Sequence, residues 1–105
     1  MSRIHRRRGV DDDIYGLAVY LLGQSEDAAR RFVDAVQKTL KELARMPGIG
    51  SIKNFRDPGL FEVRSWRVEG FRNYLIYYFI VDDGIDVLAV MHGARDIETL
   101  LHGRV

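Results

Sequence analysis

The chain contains no cysteine, only two prolines and, among sixteen basic residues, only three lysines: Lys38, Lys41 and Lys53. Each scarcity excludes something. Without cysteine there is neither a disulfide nor a thiolate metal site, and a reducing compartment is the fitting one. The three histidines, His5, His92 and His102, share no metal-ligand spacing, so no metal is expected, and no cofactor either. No apolar run approaches the length of a membrane span. Asp11-Asp12-Asp13 falls where a signal peptide needs its apolar core. The expectation is a soluble, cytoplasmic protein with no membrane partner.

What is present fits one globular unit. At 105 residues, a split into two domains would leave each with too little apolar burial, so residues 1–105 are read as a single domain. A composition of 47% hydrophobic and 30% charged residues is that of a folded chain. The net charge of +1 hides a strong bias toward arginine, whose planar fork suits carboxylate and phosphate recognition. The charges are also segregated. Arg3, Arg6, Arg7 and Arg8 crowd the start, Lys53, Arg56, Arg64, Arg67 and Arg72 cluster in the middle, and Asp82, Asp83 and Asp86 gather near one turn. A basic surface for nucleic acid or an acidic polypeptide is one reading; scattered solvated arginines are the other.

Residues Arg3 to Arg8 read as either a short edge strand or a frayed arm. Asp11 to Leu22 has helical apolar spacing at Ile14, Leu17, Ala18, Leu21 and Leu22, with acids in the first turn and Gly23 as the cap. Ser25 caps a longer helix to about Arg45, burying Ala29, Phe32, Val33, Val36, Leu40, Leu43 and Ala44, and Pro47-Gly48 ends it. So short a link makes the two helices an antiparallel hairpin. A loop from Gly48 to Pro58 carries Lys53 and Arg56. A strand from Leu60 to Val68 follows, with Glu69-Gly70 as the next turn.

The run Tyr74-Leu75-Ile76-Tyr77-Tyr78-Phe79-Ile80-Val81 is apolar throughout, as in a strand covered on both faces. Asp83-Gly84 supplies a tight turn. The next strand places Ile85, Val87, Ala89 and Met91 on one face against Asp86, Leu88, Val90 and His92 on the other. Asp96 caps a short closing helix bearing Ile97, Leu100 and Leu101. The sum is an α+β fold: an N-terminal strand, a helical hairpin on an antiparallel β-meander, and a short C-terminal helix. The sheet face away from the hairpin is expected to be only partly covered, with one of Tyr77 and Tyr78 bordering it.

Asn73 to Tyr78, Asp83-Gly84, Val87-Leu88 and His92-Gly93-Ala94-Arg95-Asp96 closely resemble the ParE branch of the ParE/RelE toxins, the small toxins of type II toxin–antitoxin modules. The helical hairpin and its Pro47-Gly48 ending sit where that family has them. The resemblance implies the RelE/ParE-like fold, a hetero-oligomer with a cognate antitoxin, and a toxin that acts by binding, with DNA gyrase as the associated target. The RelE branch implies an alternative: ribosome-dependent cleavage of mRNA. Phe79 and Ala89 stand where many relatives carry basic residues, so a relative that retains only antitoxin binding is a third reading.

The chemistry divides the same way. RNA cleavage by 2′-hydroxyl attack needs an acid–base pair and cations for the phosphorane. His92 is the acid–base candidate, and Arg64, Arg67, Arg72 and Arg95 would hold phosphate. Alternatively, His92 orients the following turn and Arg95 forms a structural ion pair. Trp66 can stack on a base between Arg64 and Arg67, or pack. The non-catalytic reading is favoured, with Lys53, Arg56, Arg64, Trp66, Arg67, Arg72 and Arg95 binding the antitoxin or target across an open sheet face.

Overall fold

A computed structural model describes residues 2–93 and 96–105. Strand β1 (Arg3–Arg6) leads into helices α1 (Val10–Leu22) and α2 (Glu26–Arg45). Strands β2 (Ser51–Ile52), β3 (Arg64–Val68), β4 (Phe71–Val81) and β5 (Gly84–His92) follow, then helix α3 (Ile97–His102). The sheet order is β1-β5-β4-β3-β2, with β3 to β5 an antiparallel meander and β1 parallel to β5. This is the expected α+β architecture, with β1 an edge strand rather than a loose arm.

The helices form for the reasons their sequences give. Ser25 Oγ accepts the Ala28 N–H at the start of α2, and Glu26 and Asp27 favour the positive end of its dipole. One face of α2 buries Phe32, Val36, Leu40, Leu43 and Ala44 against Ile76, Tyr78, Ile85, Val87 and Val90 of the sheet. Helix α1 is less one-sided: Ile14 and Leu21 are buried, but Leu22, expected in its stripe, lies 52% exposed beside Tyr15, Val19 and Tyr20. Gly23 ends α1 in a right-handed conformation, with no left-handed cap.

Four expectations about the strands need correction. Residues 60–63 are not strand: Pro58–Leu60 forms a 3-10 turn, held because the Asp57 side chain accepts the Gly59 N–H, and β3 starts at Arg64. The loop after Gly48 contains the two-residue strand β2, paired with Ser65 and Arg64. The last hairpin turns on Asp82-Asp83, and Gly84 already pairs with Val81. Finally, the alternation along β5 is interrupted. Tyr77 faces Ala89 while Tyr78 faces Val87, so Leu88 is an extra, bulged residue. The bulge shifts the parity: Ile85, Val87 and Val90 face the helices, whereas Leu88, Ala89 and Met91 face the other way.

The second sheet face is not open. Leu60, Val63, Tyr77, Leu88, Ala89, Met91, Ile97 and Leu101 form a second buried cluster, joined by Phe55, Leu75 and Phe79. The segment between β2 and β3, together with α3, covers this face, and Tyr77 is only 1% exposed. Tyr77 and Tyr78 do point to opposite faces, as adjacent strand residues must, but both are buried. Among the described residues, no helix is long and apolar enough to cross a membrane.

Candidate functional site

His5, Arg6 and Arg7 at the start of the chain are engaged by acids. His5 meets Asp83 at 2.9 Å, Arg6 meets Asp11 at 3.1 Å and Arg7 meets Asp86 at 2.8 Å. The His5 contact holds the Asp83 carboxyl below the usual aspartate range, helped by the charge of Arg3. The acids near the hairpin turn therefore anchor β1 to β5, and the charge segregation of the sequence is partly an internal fastening.

Arg64 is spent as well. It starts β3, and its guanidinium donates to the Gly50 carbonyl at 2.7 Å and toward that of Gly48 at 3.4 Å. Those carbonyls follow the end of α2. On the adjacent strand Tyr78, opposite Arg64 in register, donates its hydroxyl to the Pro47 carbonyl at 2.5 Å and accepts the Gly50 N–H at 3.0 Å. Burial pushes the Tyr78 phenol up, against the lowering influence of the Gly50 N–H and Arg64. Arg64 and Tyr78 together pin the turn after α2 onto the sheet. A tyrosine inside an apolar run gave no hint of this.

The remaining predicted residues fall in separate places. Lys53 and Arg56 lie on the segment after β2. Lys53 N–H donates to the Val63 carbonyl, and the Arg56 and Asp57 N–H groups both donate to the Glu98 carboxylate at 2.8 Å. Trp66 packs at the margin of the helix-side core. The Arg67 guanidinium lies 4.6 Å from the Trp66 ring centroid, a cation–π contact. Both line a hollow of about 110 Å³ with Lys38, Thr39, Glu42 and Glu69. Trp66 is thus half-buried packing with an arginine lid, not a bare stacking platform.

His92 ends β5 opposite Tyr74, and the two rings meet edge-to-face with centroids 5.3 Å apart. Tyr74 in turn belongs to an aromatic group with Phe32 and Phe71. Beside His92 lies a shallow open trough of about 330 Å³, lined by Arg72, Asn73, Leu75, His92 and Gly93. Leu75 is flanked in register by Arg67 on β3 and Met91 on β5. This end of the sheet is where a cation, an apolar floor and a histidine come together. Arg95 lies outside the described residues.

The trough does not gather the whole set that RNA cleavage would need. Arg64 is opposite Tyr78 and His92 is opposite Tyr74, on the two sides of β4. Four residues of strand separate those positions by roughly 13 Å. With its guanidinium on the Gly48 and Gly50 carbonyls, Arg64 is not directed at a phosphate near His92. The trough joins one cation and one histidine to an apolar side chain; the described residues do not bring Arg64 to His92.

Two residues that sequence reasoning passed over hold the opposite edge. Arg104 donates two bonds to Asp13, at 2.5 and 2.8 Å, and a third to the Leu88 carbonyl at 3.3 Å. The contact with Asp13 holds the guanidinium even more firmly charged than usual.

A search of curated protein sequences finds no match. The family model described as "ParE toxin of type II toxin-antitoxin system, parDE" matches residues 4–97, which takes in all but the first residue of β1, both long helices and strands β2 to β5. The chain belongs to the ParE toxin family of type II toxin–antitoxin systems.

Proposed function

We propose that this chain is a toxin that acts by binding, is neutralised by a cognate antitoxin in a hetero-oligomer, and takes DNA gyrase as its target. The observation that carries the non-catalytic part is the engagement of Arg64 with the Gly48 and Gly50 carbonyls. An acid–base residue needs cations within hydrogen-bond reach of the same reacting group, and the strand geometry separates Arg64 from His92. The gyrase assignment is carried by family resemblance.

The docking region proposed for the antitoxin is the trough end of the sheet, with Arg72 as the cation and Leu75 as apolar floor. An acidic, apolar segment of antitoxin suits it, because charges at a rim steer association while the floor contributes burial. This moves the expected site from a broad open face to the end of the sheet that carries the trough.

One observation favours a second reading: His92 and Arg72 line the same trough, the minimal pairing a RelE-type ribonuclease would use. The test is expression with and without the antitoxin, followed by assays of gyrase supercoiling and of translated mRNA. Gyrase-dependent DNA breaks with intact mRNA support the binding toxin. Ribosome-phased mRNA cuts that vanish in His92→Ala overturn it, and absence of any toxicity shows a relative that only binds antitoxin.

A further inference from the structure

The covers on the two sheet faces are unequal. One is the hairpin of α1 and the 20-residue α2; the other relies on the six-residue α3 and the segment 53–63. A helix of six residues does not stand alone in water, so α3 stays where its contacts hold it. It buries Ile97 and Leu101. Its Glu98 accepts the N–H groups of Arg56 and Asp57, and its His102 meets the Asp57 carboxylate.

The last fastening lies beyond α3 and does two things. Strand β1 pairs with β5 from Gly84 to Val87, so from the bulged Leu88 onward the outer edge of β5 has no strand beside it among the described residues. Two backbone groups on that stretch are taken by side chains instead: the Leu88 carbonyl accepts from Arg104, and the Val90 N–H donates to Asp13 at 3.0 Å. Arg104 and Asp13 are themselves paired, with side chains only 24% and 12% exposed. A Cβ on Gly9 would come within 3.1 Å of the Arg104 Cζ, so the guanidinium is seated against that glycine. One ion pair therefore joins α1, the bulge and the segment after α3. Arg7 adds a bond to the Arg104 carbonyl.

We propose that residues 96–105 form a releasable strap latched by Arg104 on Asp13, and that unlatching uncovers the second apolar sheet face and the outer edge of β5 together. The strap is the least self-supporting cover in the fold, and local opening draws on such elements before the global core. While latched, it keeps Tyr77, Leu88, Ala89 and Met91 from water. It also keeps an unpaired strand edge, a template for unwanted pairing, occupied by charged side chains.

Native-state hydrogen exchange on the full-length chain tests this. In Arg104→Gln, the amides of Leu60, Val63, Val90 and Leu100 should exchange roughly tenfold faster as one group. Amides of α2 and of the β3–β4 ladder should keep their rates. Asp13→Asn leaves an acceptor for the Val90 N–H but removes the charge; it should accelerate the same group, and the double variant should add nothing more. Arg104→Lys, which keeps charge but loses the fork, should give a smaller acceleration of the same amides. Because the chain has no cysteine, Asp57→Cys with His102→Cys forms one defined cross-link on oxidation. With the cross-link closed, Arg104→Gln should no longer accelerate Leu60, Val63 and Leu100 relative to the same cross-linked chain that keeps Arg104. Acceleration spread evenly over α2 and β4 would make Arg104 a general stabiliser and overturn the strap; unchanged rates at Leu60, Val63 and Leu100 would overturn the latch.

Discussion

The Tyr78 hydroxyl and the backbone of Gly50 are matched to each other. A Cβ at residue 50 would lie 2.3 Å from that oxygen, and the Gly50 N–H donates to it at 3.0 Å. The backbone at Gly50 is ordinary extended chain, φ −73 and ψ 151, so it is room for the phenol, and not torsional freedom, that calls for glycine. Through this contact the end of α2 is registered on the central strand, and Arg64 reinforces it from the neighbouring strand.

Two substitutions separate space from hydrogen bonding here. Gly50→Ala forces the buried ring of Tyr78 aside and should cost about 1–3 kcal/mol, the usual penalty of overpacking. Tyr78→Phe preserves the packing but strips partners from the Gly50 N–H and the Pro47 carbonyl, and should cost about 1–3 kcal/mol. Urea unfolding of each single variant and of the double variant checks both. Removal of the hydroxyl should recover part of the alanine penalty, and strict additivity would show that the two residues do not share one constraint.

Much of this architecture was legible in the sequence because its signals are local. Ser25 as a cap, the 3.6-residue period of Phe32, Val36, Leu40 and Leu43, and the apolar run of β4 each predict their element without tertiary knowledge. The misreadings share a cause, which is that they depend on partners distant in the chain. Residues 60–63 have strand-like composition, but Asp57 and Pro58 fold them into a turn beneath α3. The bulge at Leu88 reverses the faces of Ala89 and Met91, and the Leu88 carbonyl and the nearby Val90 N–H are satisfied by Arg104 and Asp13, 91 positions apart. For the candidate site, His92 and Arg72 do share a trough, whereas Arg64 is diverted to backbone carbonyls that no spacing rule foretells.

Acid should loosen both terminal segments through the same chemistry. His102 holds the Asp57 carboxyl below its ordinary 3.8, with the Gly59 N–H contributing, and His5 does the same for Asp83. A carboxyl whose folded value is depressed stabilises the fold above its unfolded value, and that contribution is lost as pH falls through the folded value. The loss attributable to these pairs should therefore fall below about pH 4. Unfolding free energy measured from pH 7 to pH 3 should decline more steeply for the wild type than for His5→Gln with His102→Gln. Parallel profiles would mean that the pairs contribute nothing to acid sensitivity.

Arg64 and Arg72 belong to one cluster in sequence but should separate cleanly in function. Arg64→Ala abandons the Gly50 and Gly48 carbonyls and should lower stability by about 1–2 kcal/mol, because a charged donor is lost from part-buried acceptors. Arg72 is exposed on the rim of the trough, so Arg72→Glu should change stability by no more than about 0.5 kcal/mol. Its effect belongs to association: reversing a rim charge should weaken antitoxin binding roughly tenfold at low salt, with much of the difference gone at high salt. Calorimetric titration of the purified antitoxin at two ionic strengths, alongside urea unfolding of each variant, reads both quantities. If Arg72→Glu binds as the wild type does at low salt, the antitoxin docks elsewhere and the trough assignment fails; if instead Arg64→Ala alone loses binding at unchanged stability, Arg64 is a contact residue despite its carbonyl partners.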